Sequence, residues 1–183
     1  SISSMSGLAA TRFTVEEIPQ FGIPNGIKFF ILSLIFAVAS ILLCVVLHKT
    51  SHFFTAHFDN QYVRIIVAAV LVIIMRFLFG TTDYLGAGTD IIARSFVEQS
   101  AWYVFLLKMI FTAVTLGGGF KGGEIVPTLF VGATLGSFLA PIFGLPTGIC
   151  AACGMVAVFC GVTNCPLTSL LLSIEMFGSE SLK

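Results

Sequence analysis

Charge is what this chain has least of. Only 10% of its 183 residues are Asp, Glu, Lys or Arg, whereas a soluble domain carries roughly 25%. Nine basic and nine acidic side chains are too few to clothe a water-soluble globule of this size. They also cancel, which excludes the basic face that a nucleic-acid partner would need. The shortage is uneven: Ile125 to Ile174 pass without one Asp, Glu, Lys, Arg or His. Apolar residues make up 57% of the chain, with 19 phenylalanines, so the class is an all-α polytopic membrane protein. The first residues lack the basic start and apolar core of a signal peptide. Both ends read as cut points, so the expectation is a single transmembrane fragment over residues 1–183, part of a longer protein.

Metal ligands and nucleophiles are scarce too. Four of the five cysteines, Cys150, Cys153, Cys160 and Cys165, give C-x2-C-x6-C-x4-C, a spacing that invites zinc. Their segment holds no histidine and is filled with Ala and Gly, so they read instead as small hydrophobes in a membrane helix. His48 and His52 share a helical face, but no third ligand follows at helical spacing, and a polar helix end at the interface explains them. No metal, organic cofactor or catalytic residue is expected. A membrane-embedded enzyme would need a polar constellation at depth, and the apolar region offers one carboxyl with no nucleophile pair.

Phe29 to Leu47 is nineteen residues without a charge, spanning about 28 Å as a helix. Pro24 and Asn25 precede it, Lys28 can snorkel at its mouth, and the pattern can continue through "HKTSHFFTAHF". A second helix is expected from about Tyr62 to Phe79, ending at Gly80, with Arg64 and Arg76 near its two ends and Arg76 snorkelling. "GTTDYLGAGTDIIARSFVEQ" reads as a turn and a short amphipathic helix capped by Thr89. A third apolar segment, about Ala101 to Leu116, carries Lys108 and the interfacial pair Trp102 and Tyr103. Prolines 127, 141, 146 and 166 then divide the charge-free run into pieces at about 126–140, 146–160 and 165–177. Each looks too short to cross a bilayer squarely, as in transporters whose half-helices end near the midplane. Gly132 and Gly136 form G-x-x-x-G, which admits close helix approach.

At the head of that run stands "GGGFKGGEIVPTLF", residues 117–130. Gly117, Gly119 and Gly122 fit G-x-G-x-x-G, but no acid follows at dinucleotide-fold spacing. A phosphate loop would need Ser or Thr straight after Lys121, where Gly122 stands. What remains is a helix opened by Pro127. Its first N–H groups lack intrahelical partners and carry the positive end of the macrodipole. Flanking glycines let a ligand approach, and irregular backbone at membrane depth belongs beside a cavity. Gly123, Glu124, Ile125 and Val126 are therefore the candidate anion-binding amides.

The stretches "TLGGGFKGGEIVPTLFVGATLG", "GVTNCPLTSLLLSIEM" and "YLGAGTDII" resemble the CLC family of chloride channels and anion/proton antiporters, over nearly the whole chain. The likeness is to the second of that family's two inverted half-repeats, cut before the last helices. In the family this loop reads G-x-F-x-P, and its backbone amides bind the central anion. Here the five positions are Gly123, Glu124, Ile125, Val126 and Pro127, with Ile125 in place of Phe and a carboxylate before it. That departure argues against ordinary chloride selectivity, and "GGFKGGE" is similar to the family's fluoride/proton antiporter branch. The resemblance implies that Glu124 couples proton to anion: protonated it donates to fluoride, ionised it repels it. A purely local role for Glu124, capping its own helix or pairing with Lys121, stays open. Lys121 either adds positive potential at the entrance or is a solvated loop lysine, and Glu175 is left a structural or subunit-contact role.

The resemblance also implies a homodimeric parent in a prokaryotic plasma membrane, with halide, protons and lipid as partners. The family's other anion loops and inner-gate tyrosine lie outside this chain, and "GIPNG" at 22–26 differs in order and place from the family's "GSGIP" loop. Chloride or fluoride, channel or antiporter, and an unrelated broken-helix transporter are the readings left standing.

Overall fold

The computed structural model describes residues 23–80 and 84–177. Those residues form seven α-helices and no strand: α1 (Ile23–His57), α2 (Gln61–Phe79), α3 (Thr89–Ser95), α4 (Trp102–Gly117), α5 (Ile125–Phe143), α6 (Thr147–Thr163) and α7 (Pro166–Phe177). The all-α membrane architecture expected from composition is the one observed. The expected stretch before residue 23, and Thr81–Asp83 of the polar turn, lie outside the described residues. Of the "GIPNG" segment, residues 23–26 are the opening turn of α1.

Boundaries follow local chemistry. The Asn60 side chain accepts from the Tyr62 N–H at 3.0 Å and starts α2. Gly80 closes α2 in the left-handed region at φ 66°, its N–H bonded to the Arg76 carbonyl. α3 is capped by Gly88 and not by Thr89, which is its first helical residue; the left-handed Gly88 turns the chain one position earlier than a side-chain cap would. α5 runs through Pro141 to Phe143. The expected break near 140 is absent because a proline so near the end forfeits a single intrahelical bond. The helix instead ends at Gly144 (φ 62°), where Leu145 N–H reaches the Ala140 carbonyl at 3.0 Å. At 19 residues, about 28 Å, α5 is long enough to span a bilayer, unlike the short piece expected there. α6 and α7, at 17 and 12 residues, remain short. α1 continues through the histidines to 35 residues, too long to cross untilted.

α5 is the axis of the molecule. Two-thirds of its most apolar window is buried, 67%, against 28% for α1 and 6% for α2. It packs antiparallel on α6 through small residues. A methyl added at Gly132 would fall on the Gly154 carbonyl, and one at Gly136 on the Cys150 carbonyl. The G-x-x-x-G pattern therefore serves as the sequence suggested, with backbone touching backbone. On one side, Leu32, Phe36 and Leu43 of α1 meet Val131, Leu135 and Val158. On the other, Ile92, Phe96 and Phe111 meet Phe130, Met155 and Phe159. Cys150 is wholly buried in the first of these clusters.

The buried Ser137 is bonded through its hydroxyl. Ser137 of α5 donates to the Glu98 carbonyl at 2.7 Å and accepts from Ser100 N–H at 3.0 Å, pinning the α3–α4 connection to the central helix. In contrast α2 presents Ile66, Ile73, Phe77 and Leu78 outward, as a lipid-facing or partner-facing helix does.

Candidate functional site

The loop between α4 and α5 is built to bring backbone to a helix end. Its three leading glycines have separate reasons. A methyl at Gly117 would press on Thr50 of α1, and one at Gly118 on the Ala68 side chain of α2. Gly119 adopts φ 94°, a conformation side chains rarely tolerate, with the Arg64 guanidinium packed against it. Arg64 also donates to Thr55 Oγ1 at 3.3 Å. It thus lies between α1 and the loop, whereas Arg76 stays at the surface, 5.8 Å over the Phe77 ring. With α4 stopped and turned, Phe120 to Glu124 carry the chain across to α5.

Helix α5 begins at Ile125, two residues before the expected start at Pro127. Proline tolerates the whole first turn, because none of those positions needs an N–H donor. Glu124 is therefore the residue preceding the helix, and its carbonyl accepts the first internal bond, from Thr128 N–H at 3.1 Å. Ile125 and Val126 are left with N–H groups that have no carbonyl one turn back, and Pro127 has none to offer. The Glu124 side chain forms no cap on its own helix. Gly123 has open space around it, with nothing within 4 Å of a built Cβ. Gly123, Glu124, Ile125 and Val126 lie together at one exposed helix end, with Lys121 exposed in the same loop.

Beside this helix end lies a cavity of about 390 Å³, lined by Tyr84, Gly86, Lys108, Gly122, Gly123 and Pro127 among others. Irregular backbone facing a cavity is the arrangement membrane-embedded ion sites require. A second cavity, of about 440 Å³, opens between α3 and α4 over Arg94, Glu98 and Tyr103, and contains none of the candidate residues.

Lys108 is the site residue that sequence reasoning passed over. It is 2% exposed, donates to the Tyr84 carbonyl at 3.2 Å and to the Gly86 carbonyl, and sits 4.9 Å from the Phe130 ring centre. The available signal was its depth: six residues past Trp102, it is too far from the helix start to snorkel over one turn. Glu175, by contrast, is exposed near the end of α7.

The chain matches the family model described as voltage gated chloride channel over residues 2–182. It is 32% identical over 180 residues to a chloride/fluoride channel protein of Pseudomonas syringae pv. tomato, covering 95% of this chain and 40% of that protein. It is 24% identical over 169 residues to an H(+)/Cl(-) exchange transporter, ClcA, of Yersinia pestis bv. Antiqua, covering 84% of this chain and 35% of that one. The crystal structure of a CLC-type fluoride/proton antiporter superposes with a TM-score of 0.92 at 31% identity, over 98% of this chain and 46% of that chain. The chain thus spans less than half the length of these relatives.

Proposed function

The chain belongs to the voltage gated chloride channel (CLC) family, and from that membership we propose that it is the second half of a transporter exchanging a halide, fluoride before chloride, for protons. The observation that carries this reading is the pairing at the start of α5: two unpartnered amides, Ile125 and Val126, directly follow an uncapped carboxyl, Glu124.

Fluoride is small and a strong hydrogen-bond acceptor. Amides at a helix N-terminus, backed by its dipole, favour such an anion in a low-dielectric setting. Glu124 adds a switch. Protonated, its carboxyl donates to the anion; ionised, it repels it at short range. The state of Glu124 thereby decides whether the anion can be held, which ties anion movement to proton movement. Glu124 makes no cap bond to its own helix, so its carboxyl is left available to an anion. Fluoride as the preferred ion is supported by the carboxylate in the loop and by the names of the Pseudomonas syringae relative and the solved antiporter. The remaining anion contacts and the return path for protons are assigned to the other half of the membrane unit. A homodimer in a prokaryotic plasma membrane is the expected assembly.

The printed name of the Pseudomonas syringae relative favours a second reading, a passive channel. Reconstitution of the complete transporter in liposomes separates the two. An outward fluoride gradient should drive protons inward against their own gradient, with slower movement of chloride. Anion flux that never moves a proton at any imposed gradient leaves only the channel.

A further inference from the structure

In the segment that becomes α4, Lys108 is the single charge among sixteen residues. A buried lysine normally brings a carboxylate with it, because an uncompensated charge out of water is costly. Among the described residues none is paired with Lys108. Its ammonium is held instead by neutral groups: the Tyr84 and Gly86 carbonyls and the face of Phe130. These satisfy hydrogen bonds and solvate the ion, but they leave its charge uncancelled.

The geometry says where that charge acts. Phe130 lies one helical turn beyond Val126 on α5, and Pro127 precedes Phe130 by three residues, on the same face. Lys108 and Pro127 line one cavity, which reaches Gly122 and Gly123. The ammonium therefore stands at one wall of a cavity whose other lining includes Gly122, Gly123 and Pro127, the backbone that flanks the open amides. The charge is fixed in place by its two carbonyl ligands, one on each side of Leu85, so it cannot swing out to water.

We propose that Lys108 is an anion-affinity residue: a buried cation, without a carboxylate partner among the described residues, whose counter-charge is the transported anion itself. It does not touch the anion. It lowers the cost of bringing a negative charge into the cavity, and it holds the 84–86 turn that forms the opposite wall. This rests on the halide-transport reading and adds to it a determinant outside the α4–α5 loop.

The test uses the complete transporter in liposomes with fluoride and chloride as probes. Lys108→Gln keeps an amide donor for the Tyr84 and Gly86 carbonyls and removes the charge. It should raise the KM for fluoride about tenfold, a change of about 1.4 kcal/mol, with the maximal rate largely kept. Lys108→Arg should restore the wild-type KM. A merely structural lysine would lower the maximal rate through loss of folded protein and leave KM unmoved. An unchanged KM in a folded Lys108→Gln, or a weakened KM in Lys108→Arg equal to that of Gln, would overturn the inference. Should Gln fail to fold, Lys108→Met takes its place as the charge-removing variant, and a KM for fluoride equal to that of Lys108→Arg would overturn the inference. Wild-type protein that carries no anion would instead overturn the underlying transport reading.

Discussion

One methyl group tests whether α5 is held where the site needs it. In Gly132→Ala the new Cβ would stand 2.7 Å from both the Gly154 carbonyl carbon and Met155 Cα, and closer still to the Gly154 oxygen. Ordinary carbon contacts are about 3.5–4.0 Å, so α5 and α6 must part by about 1 Å. No rotamer change avoids this, because the obstructing atoms are main chain. One turn on, Gly136 meets the Cys150 carbonyl carbon at 2.6 Å, so the crossing is tight along its length and cannot pivot open cheaply. A gap of about 1 Å forfeits up to about half of the dispersion well for the atoms on either side. Overpacking of this kind costs about 1–3 kcal/mol, and lipid as apolar as leucine offers helices no hydrophobic drive to stay together. The upper value is expected, about 3 kcal/mol, or about a hundredfold in the unfolding equilibrium. Because the α5 N-terminus moves with the helix, fluoride efflux should fall about tenfold or more in whatever protein remains folded. Unfolding of the complete protein in micelles, paired with efflux from liposomes, reads both quantities. Gly123→Ala is the control, since a Cβ there meets nothing within 4 Å and stability should not change. Gly132→Ala protein that unfolds within about 0.5 kcal/mol of wild type and transports at its rate would refute the tight crossing.

Other consequences are sharper on single groups. Glu124→Gln should leave anion flux measurable while abolishing proton movement against a gradient, since the amide donates but cannot release a proton; coupled flux at the wild-type ratio would contradict the role given to Glu124. Ser137→Ala removes the part-buried bonds to the Glu98 carbonyl and the Ser100 N–H and should cost about 1 kcal/mol, seen as a lower thermal midpoint. Asn164 sits at φ 53°, so Asn164→Val should destabilise by about 1–2 kcal/mol while Asn164→Gly stays near wild type in the same thermal assay.

Much of the fold was legible because membrane chemistry leaves few options. Phe29–Leu47 could only be a helix in lipid, and α1 contains it; Tyr62–Phe79 lies within α2, and Gly80 terminates it as expected. The errors in the bounds of α5 share one cause, the reading of proline as a boundary. Pro127 and Pro141 both lie inside α5, one near each end, because a helix terminus does not need the bond that proline removes. Proline therefore marks a terminal turn of helix and not always its first or last residue: Pro166 does open α7, whereas Pro127 and Pro141 stand inside α5. Thr89 was misread for a related reason: a capping hydroxyl was weighed above a glycine that already supplied the left-handed turn at Gly88. The tertiary reasons for Gly117 and Gly118, pressed on α1 and α2, could not be read from a string, since their neighbours lie some 50 to 67 positions away.

The two-residue shift in the start of α5 changes what the site can bind. Had Pro127 been the first helical residue, the residues before it would have been a loose loop and Glu124 a remote side chain. With the helix starting at Ile125, the proline occupies the third position and removes one of the first-turn donors. Ile125 and Val126 remain as the aligned helical amides, and Glu124 comes to stand at the helix end itself. A site with so few fixed donors suits a small anion and is incomplete without one more. A protonated Glu124 carboxyl is the nearest group able to supply it, which makes the exchanged proton a part of the binding site as well. The same subtraction explains why a cation would be placed on the far wall: with donors limited, affinity has to come from field, and Lys108, buried and without a carboxylate partner among the described residues, supplies it.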